Sequence, residues 1–251
     1  MKISVVIITF NSIRTIRKVL AAVAGWADEI VIVDSGSTDE TLAIAKEFDC
    51  KIFYRKFDGF GSQKRFATEQ AKNDWIFTLD SDEIVSEELK FEIDEAMKNL
   101  DCQAFIIPNT LILLGKMMKY GRESKMLRIR LFDRRFGNYN TKEVHEEVEI
   151  EGKTRTLSNR VLHDSYVDLA DVFQKANKYS SLAAIEMNKR EKKTSILKII
   201  FKFPIAFLTE YFIRLNFLNG YRGFIWAFSQ AVYSTMKYMK LRELRVLNSE
   251  F

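Results

Sequence analysis

Acidic side chains gather at three places in this 251-residue chain: Asp34, the run Asp80-Ser81-Asp82-Glu83, and the pair Glu146-Glu147. Each of the first two follows an apolar run directly, Ile30-Val31-Ile32-Val33 and Ile76-Phe77-Thr78-Leu79. Two carboxylates at i and i+2 can grip a hard divalent cation, Mg2+ or Mn2+, that keeps open positions for diphosphate oxygens. The plain alternative is a loop ahead of a helix, where acidic residues suit the positive end of the helix dipole. Asp34, in Asp34-Ser35-Gly36-Ser37, either shapes a turn or accepts hydrogen bonds from a nucleobase or ribose. The first apolar run, Val5-Val6-Ile7-Ile8, is followed by Thr9-Phe10-Asn11 and not by Gly-x-Gly-x-x-Gly, so a nucleotide other than a dinucleotide cofactor is implied. His145 and His163 are the only histidines. A lone histidine is more often structural, but His163 can also complete a metal shell or touch phosphate. Arg128, Arg134 and Arg135 carry the planar fork that suits a diphosphate, or else solvate a loop.

These residues need a frame. The three apolar runs read as strands buried on both faces. Helical segments are expected at about 12–24, 38–48, 62–72 and 86–99, which gives β-α-β-α-(β)-α-β-α order and a mostly parallel sheet with helices on both sides. In such sheets ligands bind where strands end, and the three polar or acidic strand ends fall on one rim. Ser37-Thr38-Asp39-Glu40 reads as a capping box for the second helix, and Ser86-Glu87-Glu88 as the start of the fourth. From about 103 to 165 short strands and turns are expected, with Phe136-Gly137-Asn138-Tyr139-Asn140 as a turn. Beyond 167 the pattern is helical to about 193, again from 196 to 218 and from 221 to 244, punctuated by Pro204 and Asn219-Gly220.

Composition bounds the rest. The length and 47% hydrophobic content support one sizeable core plus an appendage, read as residues 1–165 and 166–251. Cys50 and Cys102 lack ligand spacing, so a reducing cytoplasm without a disulfide framework is expected. The start, MKISVVIITFNS, reads as a buried strand and not an export signal. Residues 186–251 hold 12 Lys and Arg against 5 Asp and Glu, so the net charge of +5 belongs to the tail. Its longest uncharged stretch, Gly223 to Met236, is 14 residues, short of the roughly 20 that span a bilayer. Basic, aromatic-rich helices of that kind fit a membrane surface, with rings at the acyl boundary and cations on headgroups. A helical hairpin packed on the first segment, or a homodimer contact, would also cover such faces. No nucleic-acid fold accompanies the basic residues, and nucleic acid is not expected as a partner.

In this order, Val5 to Asn11, Ile32 to Thr41, Gln63-Lys64-Arg65 and Trp75 to Glu83 resemble the signature of family-2 inverting glycosyltransferases. Further on, Arg128 to Arg135, Val144-His145-Glu146, His163 and Phe217 to Phe224 resemble the branch that includes lipopolysaccharide-core β-1,4-glucosyltransferases. The resemblance implies an α/β GT-A fold, a Rossmann-like, mostly parallel sheet of the nucleotide-diphospho-sugar transferases, with a C-terminal helical extension. It implies that Thr9, Asn11 and Asp34 hold the uracil and ribose of a UDP-sugar, with Lys64, Asp80 and Ser81 near the donor and Asp80, Asp82 and His163 near a divalent metal. Glu146 or Glu147 would be the base that takes the acceptor's proton in a single displacement. If 144–149 is a strand, Glu147 and Glu149 share a face with His145, and Glu146 takes the other. UDP-glucose is the implied donor and a glycolipid or lipopolysaccharide-core sugar the implied acceptor, at the inner face of the cytoplasmic membrane. A nucleotidyltransferase, or a membrane-binding module without catalysis, are the competing readings.

Overall fold

A computed structural model describes residues 2–140 and 146–247. In chain order the elements are β1 (Ile3–Thr9), α1 (Ile16–Val23), β2 (Glu29–Asp34), α2 (Thr41–Lys46), β3 (Lys51–Tyr54), α3 (Phe60–Gln70), β4 (Trp75–Asp80), β5 (Glu83–Val85) and α4 (Glu87–Lys98). There follow β6 (Ala104–Leu113), β7 (Lys116–Met117), β8 (Met126–Asp133), β9 (Gly137–Tyr139), β10 (Val148–Ile150), β11 (Thr154–Thr156) and β12 (Val161–His163), then α5 (Leu169–Lys189), α6 (Ile196–Leu208) and α7 (Tyr221–Leu247). They fall into two compact units: 2–110 with 125–165, and 111–124 with 166–247.

In the first unit the sheet order is β3-β2-β1-β4-β8-β6-β12-β5. β3, β2, β1 and β4 are mutually parallel, whereas β8 pairs antiparallel with both β4 and β6. The apolar runs explain the layering, because alternate residues of a strand face opposite sides. Val5, Ile7, Ile30, Ile32, Phe77 and Leu79 pack with α1 and α4 in one core. Val6, Val31, Val33 and Ile76 pack with Ala67 of α3, Phe132 and Tyr139 in the other. A strand apolar at every position is therefore covered twice.

Register carries the strand ends to one rim. Thr9 pairs with Asp34, and Ile8 with Asp80, so β1, β2 and β4 finish level. Ser86 caps α4, accepting a hydrogen bond from the N–H of Leu89 at 3.3 Å. The box expected at Ser37 to Glu40 is not made. Ser37 is drawn off to Asp34, and Asp39 instead accepts the N–H groups of Thr41 (2.9 Å) and Ile13 (3.2 Å), tying the two loops together. Gly137 to Tyr139 form a strand and not a turn, paired with β10 so closely that a Cβ on Gly137 would sit 1.9 Å from the carbonyl oxygen of Glu149. The strand expected over 144–149 begins only at Val148 among the described residues.

In the second unit α7 packs along α5 and α6. Leu111, Leu113, Met118, Val172 and Trp226 share a core. Pro204 does not end a helix. It lies inside α6, where it leaves one carbonyl of the preceding turn without its helical donor, and α6 runs directly into one π-helical turn over Thr209–Ile213. Asn219 accepts the N–H groups of Lys119 (2.9 Å) and Tyr120 (3.2 Å), and Arg222 donates to the carbonyls of Leu113 and Leu114, so the 217–224 segment holds the 111–124 segment by its backbone. No described helix is long and apolar enough to cross a membrane.

Candidate active site

The rim is built from loops that satisfy themselves. Asp34 ends β2, and its Oδ1 accepts from Thr9 Oγ1 (2.9 Å) and Ser37 Oγ (2.5 Å). Its Oδ2 accepts from the N–H groups of Gly36 (2.7 Å) and Ser37 (2.8 Å). A carboxylate offers about four acceptor positions, so those of Asp34 are filled from within the protein. Gly36, at φ 99°, supplies the left-handed turn that aims both N–H groups at one oxygen. Asn11 also sits at positive φ, 48°, a conformation asparagine tolerates. Its Oδ1 accepts the N–H of Thr38 at 2.8 Å, while its own N–H donates to Ser37 Oγ at 2.8 Å. The ends of β1 and β2 are thereby laced into one ledge.

Beside the ledge lies a charged network at the end of β4. Lys64, projected from α3 and only 5% exposed, places Nζ 2.8 Å from Asp80 Oδ1 and 3.4 Å from Glu146 Oε1, with the Tyr139 ring 5.7 Å away. Arg130, from β8, lies 3.5 Å from Asp80 Oδ2 and pairs with the fully buried Glu83, which also accepts from Asn109. The N–H of Asp80 donates to Glu83 at 2.9 Å. Burial alone would raise the Asp80 carboxyl, but the charges of Lys64 and Arg130 outweigh it and hold the group well below the usual carboxylate range. Burial likewise opposes the charge on Lys64 and Arg130, and their acidic neighbours override it, so both stay firmly cationic. One donor is left over: Arg130 Nε is buried with no hydrogen-bond partner.

Asp82 has a different partner. β5 and β12 pair antiparallel with Glu83 opposite His163, and the N–H of Asp164 donates to the Asp82 carbonyl at 2.9 Å. His163 Nε2 consequently stands 3.2 Å from Asp82 Oδ2, with both side chains about 30% exposed. Burial disfavours the imidazolium, yet hydrogen bonding and the charge of Asp82 raise His163 above its ordinary value. Ser81 Oγ lies 2.7 Å from Ser12 Oγ, joining this loop to the one after β1. A carboxylate and an imidazole, adjacent and half-exposed, form a donor set that suits Mn2+ or Mg2+ completing its shell with water and phosphate oxygens. Among the described residues no group of three His, Cys, Asp or Glu is assembled for a metal.

Thr9, Asn11, Asp34, Lys64, Asp80, Ser81, Asp82, Glu146 and His163 thus all meet at this rim or one hydrogen bond from it. Both oxygens of Asp80 face cations, and Asp82 stands beside His163. Glu146 contacts Lys64, whereas Glu147 is exposed, its carbonyl accepting the N–H of Asn140 (3.0 Å) and its N–H donating to Asn140 Oδ1 (3.5 Å). Both precede β10, so strand alternation does not choose between them. His145 lies outside the described residues. Gln63 donates to Ser35 Oγ (3.1 Å), and Arg65 to the Tyr139 carbonyl (3.1 Å), both in supporting roles.

Arg134 and Arg135 are elsewhere. β8 runs antiparallel to β4 and sets Asp133 opposite Trp75, which puts both arginines at the far end of the sheet. There Arg134 caps carbonyls at the end of α3 (Ala71, 2.6 Å) and Arg135 pairs with Asp133 (2.5 Å). Arg128 is exposed on the same strand. The residues that sequence reasoning missed are Arg130 and Tyr139, whose hydroxyl meets Thr78 Oγ1 at 2.9 Å. An arginine between Ile129 and Leu131, in a run whose end is apolar, was the available signal.

The model of "Glycosyl transferase family 2" matches residues 4–147. An uncharacterised glycosyltransferase of Rickettsia typhi is 30% identical over 98% of this chain and 88% of its own. The lipopolysaccharide core biosynthesis glycosyltransferase LpsC of Rhizobium meliloti is also 30% identical, over 98% of this chain and 94% of its own. Among solved structures, S. aureus TarS 1-349 in complex with UDP has 15% identity and a TM-score of 0.49, covering 99% of this chain and 92% of that one. With the rim from Thr9 to Glu147 inside the matched span and relatives alike along nearly its whole length, the chain belongs to glycosyl transferase family 2.

Proposed function

We propose that this glycosyltransferase moves a hexose, glucose first among candidates, from a UDP-sugar to a hydroxyl of a lipopolysaccharide-core or other lipid-linked glycan, with inversion, at the inner face of the cytoplasmic membrane. The observation that carries the reading is the grouping at the end of β4: Lys64 between Asp80 and Glu146, beside an Asp82–His163 pair. The ledge formed by Thr9, Asn11 and the Asp34 loop would receive the nucleoside. Asp34 would act there chiefly by fixing the loop, since its own acceptor positions are filled.

Asp82 and His163 would hold a divalent cation, which when bound offsets the charge on the departing diphosphate. Lys64 and Arg130 keep Asp80 ionised and fixed, so it can orient the donor without reorganising. Glu146 is the better placed base. Its carboxylate is held by the ammonium that also holds Asp80, which sets it close to the donor side of the rim, and it would take the acceptor's proton as the new bond forms. The likeness to a lipopolysaccharide core biosynthesis glycosyltransferase supports the acceptor class. The exposed apolar side chains of the second unit support a membrane-surface location.

The test is nucleoside diphosphate release across a panel of nucleotide sugars, with and without Mn2+ and a core-glycan acceptor. Release from UDP-glucose that needs both is expected. Release from another nucleotide sugar would move the donor, and none from any, in a chain that is folded, would end the reading.

A further inference from the structure

The solvent face of α6 is unusual. Ile196, Leu197, Ile200, Phe201, Ile205 and Leu208 are each between 51% and 67% exposed. At about 100° per residue these six, with Pro204, fill one half of the helix without a polar member. One edge of this half is already occupied: Phe203 meets Phe228 and Phe207 meets Phe224, with ring centroids 5.5 and 5.7 Å apart. The apolar surface continues beyond α6 through Phe212 and Ile213, 52% and 77% exposed. Monomers seldom leave so broad a contiguous patch in water without a partner for it.

Lysines border the patch. Lys198 lies 4.6 Å, Lys202 5.7 Å and Lys237 5.6 Å from the Tyr238 ring, whose face partly compensates them. Tyr238 favours the charge on Lys237, while Lys202, Lys192 and Lys198 oppose it. Burial and this repulsion hold its ammonium below the ordinary lysine value. Like charges gathered at the edge of an apolar face call for an anion there. A second copy is a poor occupant, because a two-fold contact through the same face would bring a second set of the same lysines. A 13-residue helix is about 20 Å long, too short for a bilayer core of about 30 Å, so it would lie in the surface and not cross it.

We propose that α6 docks in the plane of an anionic bilayer, its apolar half at the headgroup boundary, with lipid phosphates held by Lys198, Lys202 and Lys237 around Tyr238. This rests on the membrane-surface reading above and adds to it the face and the lipid class.

The full chain is sedimented with phosphatidylcholine vesicles, with or without phosphatidylglycerol, as wild type and as L197D/I200D and K198A/K202A. Wild type should pellet with the anionic vesicles and weakly with the neutral ones. K198A/K202A should weaken anionic binding by about thirtyfold, roughly fivefold for each basic residue removed, and L197D/I200D should abolish it. A tryptophan placed by I200W should shift to the blue and be quenched by brominated lipid chains. Equal binding to both vesicle types, binding indifferent to either double variant, or a dimer that L197D/I200D dissolves would each overturn the proposal. UDP binding by calorimetry on the same preparations separates the readings: vesicle binding without UDP binding sinks the donor assignment alone, and UDP binding without vesicle binding sinks this one alone.

Discussion

Each end of the parallel sheet sets a carboxylate against a cation, and the two are treated differently. At the start of β2, Glu29 has a side chain 2% exposed. Its oxygens take Lys51 Nζ (2.7 Å), Ser4 Oγ (2.5 Å) and the N–H of Lys72 (2.8 Å), while Asn73 fastens Ser4 from the next loop. At the end of β4, Asp80 is 30% exposed between two buried cations. Each of those cations has one close contact, Lys64 with Asp80 at 2.8 Å and Arg130 with Glu83, and one longer one, Lys64 3.4 Å from Glu146 and Arg130 3.5 Å from Asp80, while Arg130 Nε is unmatched. A polar group satisfied on every side is a clamp. One left short of partners, beside an opening, has capacity for a ligand, and buried unsatisfied groups are rare enough to warrant that reading.

Substitutions should separate the ends. The largest effect is expected from Glu146→Gln, which should lower kcat by about 10²–10⁴ while UDP affinity holds; if Glu147→Gln does this instead, the base is Glu147. Arg130→Met should come next, because it strands Glu83, 0% exposed, without its counter-ion. About 3–5 kcal/mol of unfolding free energy should be lost in chemical denaturation, and a loss close to zero would show that Glu83 does not depend on Arg130 for its charge.

Glu29→Gln should cost about 1–3 kcal/mol at neutral pH and leave kcat/KM unchanged. Burial pushes Glu29 up, but hydrogen bonds from Lys51, Ser4 and the Lys72 N–H, with the charge of Lys51, bring it below the ordinary glutamate value of 4.5. A carboxyl lowered on folding stabilises fully above its unfolded value and loses that contribution as pH falls through the folded one. Wild type should therefore lose more stability than Glu29→Gln below about pH 4.5, narrowing the gap between them; a gap constant from pH 7 to 3 would refute the assignment. Least of all, Arg135→Ala should leave donor affinity and turnover as they were, since Arg135 sits at the clamped end, and a weakened KM for the donor would contradict its position.

The first half of the site was legible because it is local. Val5 to Asn11, Ile30 to Asp34 and Ile76 to Asp82 each state a strand and its polar end within one stretch, and parallel pairing in level register brings those ends together. Helix order followed from the same periodicity. What could not be read is set by pairing. Arg130 stands within β8 and Arg134 and Arg135 just past its end, and the antiparallel direction of β8 sends one to the rim and two to the opposite edge. Ser37 had two uses, a helix cap or the Asp34 loop, and the burial of Asp34 decided for the second. Choosing between Glu146 and Glu147 by strand alternation failed because the strand starts after both.

The β5–β12 ladder has a consequence for how the molecule is made. It joins Glu83 to His163, so the imidazole beside Asp82 comes from a part of the chain translated long after the ledge that begins at Thr9. A nascent chain released before residue 161 would carry the Thr9–Asp34 ledge and both aspartates but no imidazole facing them, so any cation grip that needs the pair waits on nearly the whole first unit being present.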